Sequence, residues 1–171
     1  MLVLDAGFSL RELDRRAERV GLDLAGLVGV ALTHEHGDHA AGAVRLAARH
    51  GVPVLASPGT WGALGAGDAV PFLPIVQGAR TELAAFTLSG CPIPHDAAEP
   101  LALAVTARAG TSVGLAYDLG RPAALTRVYL PGSRLLAADR AALSAYVRRG
   151  IDLDGAQLQL EPGAVEHERR R

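Results

Sequence analysis

Thr33-His34-Glu35-His36-Gly37-Asp38-His39 brings three imidazoles and the carboxylate of Asp38 into one short stretch, in the pattern H-x-H-x-D-H. Imidazole nitrogen and carboxylate oxygen are the donors that hold borderline divalent ions such as zinc. On an extended or tight-loop backbone His34 and His36, two residues apart, point to the same side. Asp38 and His39 face a neighbouring position, so one loop can serve two ions. A helix start capped by Asp38 would account for the aspartate, but not for three histidines in this order.

The elements around this loop must hold it still. Leu27 to Leu32 is an apolar, Val-containing run that reads as a central strand and delivers His34 to its C-terminal edge, where sites on layered α/β structures form. Leu2 to Leu4 reads as a short buried strand ending at Asp5-Ala6-Gly7. Ser9-Leu10-Arg11-Glu12 has the form of a capping box. The helix it opens places Leu10, Leu13, Ala17 and Val20 on one face and stops at Gly21. Ala40 to Ala48 is helical in composition and ends at Gly51. Val52 to Leu55 is the next strand, Pro58 to Ala66 a short helix, and Thr81 to Leu88 a further strand. Leu101 to Ala107 and Ser112 to Tyr117 form a hairpin about Ala109-Gly110, and a helix is expected near Pro122. Strands and helices alternate first and strands dominate later, which predicts an α/β layered fold with mixed sheets.

Composition narrows the function classes. The 171 residues suffice for one domain with a real core. With 49% hydrophobic but only 4% aromatic residues, that core is Ala, Val and Leu. Net charge is -1, so no global basic field draws the chain onto nucleic acid. A nucleic-acid substrate remains compatible, because bound ions supply positive charge locally. All 17 basic residues are arginine. One cysteine, Cys91, excludes an internal disulfide and fits a reducing cytoplasm. The N-terminus lacks the form of a signal peptide, and no apolar run reaches a membrane span. Cytoplasmic localisation without a membrane partner is the expectation; oligomeric state is left open.

The H-x-H-x-D-H loop after a strand resembles the metallo-β-lactamase fold superfamily. The resemblance extends to Asp5-Ala6-Gly7, to His95 in Pro94-His95-Asp96-Ala97, and to Asp118 in Ala116-Tyr117-Asp118-Leu119-Gly120. The wording of "DAGFS", "LTHEHGDHAAG", "PIPHDAAEPLAL" and "GLAYDLG" is similar to the YycJ (WalJ) branch of metal-dependent phosphodiesterases and DNA exonucleases. It covers about residues 2 to 136. The resemblance implies an αββα sandwich, incomplete here, and two divalent ions, zinc or alternatively manganese or iron. It implies His34, His36 and His95 as ligands of the first ion, Asp38 and His39 of the second, and Asp118 as the bridge. Asp38 and Asp118 also enter the catalytic set. Two ions a few ångströms apart bring the pKa of a shared water near neutrality and neutralise charge on a phosphodiester, which the resemblance implies is DNA. Asp5 is read as support for the histidine loop rather than a ligand, and His50, Cys91, Trp61 and Tyr117 as structural.

Two departures accompany the resemblance. The family carries a strand and a Gly-Ser-rich loop before the segment that begins here at Met1. It also carries an Asn-His-Asp segment and a late histidine that completes the second ion site; the only histidine after Asp118 is His167, in a charged setting. A truncated relative is therefore expected: a partial domain over residues 1–136, a divergent and disordered tail over 137–171, and a weak second ion site. Three functions compete: a phosphodiesterase, a hydrolase of a small ester, thioester or lactam, and a metal-binding remnant with little activity.

Overall fold

Short apolar segments set the frame. Leu2–Leu4 (β1), Gly29–Ala31 (β2), Val54–Ala56 (β3) and Phe72–Pro74 (β4) pair side by side, all parallel, in the order β1-β2-β3-β4. Parallel neighbours require crossovers, and helices supply them: α1 (Leu10–Arg19), α2 (Gly37–Ala40), α3 (Ala43–His50) and α4 (Pro58–Leu64). A second sheet follows, with β5 (Thr81–Leu83), β6 (Phe86–Pro92), β7 (Leu101–Ala107) and β8 (Ser112–Ala116) antiparallel in sequence order and β9 (Arg134–Ala138) parallel to β8. This computed structural model describes residues 1–118 and the strand Arg134–Ala138; the helix expected near Pro122, His167 and the expected tail beyond Ala138 lie outside the described residues.

The period-2 alternation of strand side chains divides the core in two. Val30, Leu32, Val54 and Ala56 face the helices and pack with Ala43, Leu46, Ala47, Leu10, Leu13 and Trp61. Ala31 and Leu55 face the other way, onto Leu88, Leu101, Leu103 and Val105 of the second sheet. Among the described residues the result is helices, then sheet, then sheet, three of the four layers of the expected αββα sandwich. The loops that leave the C-terminal ends of β1 and β2 meet at one edge of this stack. Gly7 makes that meeting possible: a Cβ there would lie 1.7 Å from the Asp38 carbonyl oxygen. No helix among the described residues is long and apolar enough to cross a membrane.

Some sequence expectations shift. The single strand read over Thr81 to Leu88 is the start of a hairpin, β5 and β6, turning at Ala84-Ala85 with Ala84 at φ +51°. The helix read over Ala40 to Ala48 is broken into α2 and α3 at Gly42, where a side chain would strike the Phe8 carbonyl oxygen. Ser9 does cap α1, but the Glu12 carboxylate is bound by Arg15 and Arg16. Val20 lies past the helix end and is exposed rather than on its apolar face.

Candidate metal centre

Thr33 is the second residue past β2, and from it the chain turns into the histidine loop. Asp5, just past β1, adopts φ +55°, a backbone state unusual for a non-glycine residue. In that state its carboxylate accepts from the Thr33 N–H at 2.8 Å and from the Thr33 hydroxyl at 2.8 Å. It also lies 2.8 Å from His39 Nδ1. Proton positions follow from these contacts. An ionised carboxylate only accepts, so His39 carries its proton on Nδ1 and presents Nε2. The one proton of the Thr33 hydroxyl goes to Asp5. His34 Nδ1, 3.0 Å from the same hydroxyl oxygen, must then donate to it and leave Nε2 unprotonated. One aspartate thus sets the tautomers of two histidines, the usual arrangement behind metal-binding imidazoles.

The loop between β6 and β7 brings His95 across from the second sheet. Its Nε2 lies 3.1 Å from His36 Nδ1, while Asp96 Oδ1 stands 3.0 Å from His95 Nδ1 and favours a proton there. The rings of His34, His36 and His95 are 4.7 to 4.8 Å apart and nearly perpendicular to one another. Asp118, two residues past β8 and at φ +48°, places Oδ2 3.0 Å from His39 Nε2, 3.5 Å from His34 Nε2 and 4.0 Å from His95 Nε2.

Two trios result: His34, His36 and His95, and His34, His39 and Asp118, each with its donor atoms within 4.8 Å of one another. The structure brings five of the six sequence-predicted ligands together. Asp38 is the sixth. It sits at the rim, 81% exposed, with Oδ2 3.7 Å from His39 Nε2, and belongs to neither trio.

These side chains fit a divalent ion. His34 is fully buried, yet its Nε2 makes no hydrogen bond; Asp118 stands 3.5 Å away without forming one. A buried polar atom without a partner is costly, and a cation held between these rings would satisfy it. Burial, with repulsion from His39 and His95, holds the His34 pKa below its ordinary value. For His39 burial acts downward, but the Asp5 hydrogen bond and the charges of Asp5, Asp118 and Asp38 outweigh it and hold the imidazole above 6.5. Burial, then Asp5 and Asp118, raises the Tyr117 phenol, whose ring is 5.4 Å from that of His39.

The role of Asp5 yields two expectations. Asp5→Ala should lose about 2–4 kcal/mol of stability in urea unfolding, because it strands the buried Thr33 N–H and puts alanine at a positive φ. The pH dependence of the metal-free chain has a definite sign. A histidine pKa raised on folding stabilises fully below the unfolded value of 6.5 and loses that contribution as pH rises through the folded value. Asp5→Asn removes the charge behind the shift. The stability gap between wild type and Asp5→Asn should therefore be wider at pH 5.5 than at pH 8.5.

Sequence reasoning assigned Asp5 a supporting role but did not find Thr33 or Asp96, which act through neighbours and carry no motif of their own. Comparison with known proteins agrees with the geometry. The profile of the beta-lactamase superfamily domain matches residues 1–148. An exodeoxyribonuclease YycJ from Bacillus anthracis is 35% identical over 63 residues, 37% of this chain and 24% of that protein. A metallo-beta-lactamase from Cronobacter sakazakii with a HARLDQ motif superposes with TM-score 0.58 at 23% identity, over 86% of this chain and 62% of that one. BJP-1, a subclass B3 enzyme of Bradyrhizobium japonicum, gives 0.55 at 16%, over 86% and 60%. The chain therefore spans less than two thirds of these relatives, and at such identities the structural likeness is one of fold. Because the profile match runs through both sheets and the whole histidine loop, the chain belongs to the beta-lactamase superfamily.

Proposed function

We propose that this superfamily hydrolase is a two-ion phosphodiesterase acting on DNA as an exonuclease. The observation that carries the reading is the pair of donor trios meeting at His34, together with the sequence likeness to an exodeoxyribonuclease. His34, His36 and His95 would hold one ion; His39, Asp118 and a rotated Asp38 would hold the other. Zinc suits these donors best, with manganese and iron as alternatives. Such ions supply a water made acidic near neutral pH and positive charge against a phosphodiester.

The chain's own groups do the rest. Asp5, directly and through Thr33, orients His39 and His34 so that the neutral form of each ring presents Nε2 inward. Asp118 Oδ2, within 4.0 Å of three imidazole nitrogens, is suited to link the two sites. Asp38, exposed at the rim 3.7 Å from His39 Nε2, would turn inward to complete the second set.

The test is hydrolysis of bis(p-nitrophenyl) phosphate and of an end-labelled DNA strand with added zinc or manganese, before and after chelation. Metal-dependent shortening of DNA supports the reading. Hydrolysis of a lactam or a simple ester with DNA left intact contradicts it, as does tight metal binding without any hydrolysis, the behaviour of a remnant.

A further inference from the structure

The third histidine of the cluster stands on a loop of the other sheet, so something must hold that loop in register. Its neck is closed by Ile93 N–H donating to the Pro100 carbonyl at 3.1 Å, and Leu101 N–H donates to the Thr33 carbonyl at 2.9 Å. Neither bond fixes the tip. There, Ala98 N–H donates to the Glu35 carboxylate at 2.7 Å. The other Glu35 oxygen is 3.5 Å from the hydroxyl of Thr60, which is fully buried on α4. Glu99 completes the attachment: its carbonyl accepts from the Ser57 hydroxyl at 2.6 Å and its carboxylate from Gly59 N–H at 2.6 Å. The fit is close, since a Cβ on Gly59 would lie 2.5 Å from that of Glu99.

Glu35 lies between His34 and His36. Alternation along the chain sends its side chain away from theirs. One tripeptide thus presents two imidazoles to the cluster and, on its other side, a carboxylate to the loop that carries the third. We propose that Glu35 is a positioning residue for His95. Its bond to Ala98 N–H assembles the three-nitrogen face before any ion arrives, which spares the ion the cost of ordering the loop. The proposal rests on the metal reading above.

The full chain is compared with Glu35→Ala and Glu35→Gln, the latter keeping an acceptor oxygen. Three readouts are taken: zinc affinity by chelator competition, the ligand-field spectrum with cobalt, and hydrogen exchange at the Ala98 amide in the metal-free chain. Glu35→Ala should exchange faster at Ala98, bind zinc about 10–100-fold more weakly, as loss of a group behind a ligand does, and show an altered cobalt spectrum. Glu35→Gln should recover most of all three. If the alanine variant does not fold, Glu35→Asp, which withdraws the carboxylate by one methylene, replaces it with the same expectations. Zinc affinity and cobalt spectrum unchanged in the shortened variant overturn the proposal, even if Ala98 exchanges faster. Equal impairment in the alanine and glutamine variants, tracking a fall in metal-free melting temperature, also overturns it. A wild-type chain that binds neither zinc nor cobalt overturns the metal reading itself, an outcome distinct from the other two.

Discussion

His36→Ala should leave the chain without tight zinc binding. Structural zinc sites gain roughly 10–16 kcal/mol from four ligands, so one ligand is worth roughly 3 kcal/mol, or more than a hundredfold in affinity. His36 is a suitable position for the test because its side chain is only partly buried at the loop. Its removal opens no core cavity, so the metal-free variant should fold as wild type does. His50→Ala is the control. His50 ends α3 and accepts a hydrogen bond from Arg49 on the surface, and zinc affinity should not change. Unchanged zinc affinity in His36→Ala would remove the first ion site from the account.

The second large effect is expected at Asp118. Its Oδ2 approaches His39, His34 and His95, so it touches both candidate sites. Asp118→Asn keeps the shape and tolerates φ +48° as well as aspartate does. The half-exposed ion pairs it loses carry little stability, so unfolding should shift by less than about 1 kcal/mol. Phosphodiester hydrolysis, by contrast, should fall on the order of a hundredfold or more, because a neutral amide holds two cations together poorly. Activity near wild type in a folded Asp118→Asn would reduce this residue to the end of a strand.

These residues also mark how far the sequence could be read. The H-x-H-x-D-H loop was legible because its donors lie close together in the chain, and β2 because it lies within an apolar run. His95 and Asp118 were legible only through resemblance, since spacing alone does not say that β6, β7 and β8 fold back over the first sheet. The turn at Ala84-Ala85 was hidden because it lacks the glycine, asparagine or aspartate that usually signals a positive φ. The break at Gly42 was hidden because its cause is a distant backbone, the Phe8 carbonyl. Thr33 and Glu35 could not be found locally: Thr33 bonds Asp5 and Glu35 bonds Ala98, partners that are remote in the chain.

Asp38 bears most directly on the central claim, that this is a metal centre with two unequal sites. The two trios share His34, and one ring nitrogen can serve one ion at a time. If the first ion takes His34, His36 and His95, the second keeps His39, Asp118 and the exposed Asp38. Fewer ordered protein ligands mean weaker binding. Zinc titration of the full wild-type chain, followed by mass spectrometry under native conditions, reads both sites at once. The account predicts one ion that survives mild chelation and a second that appears only in excess metal. Two ions of equal tightness, or none, would contradict it.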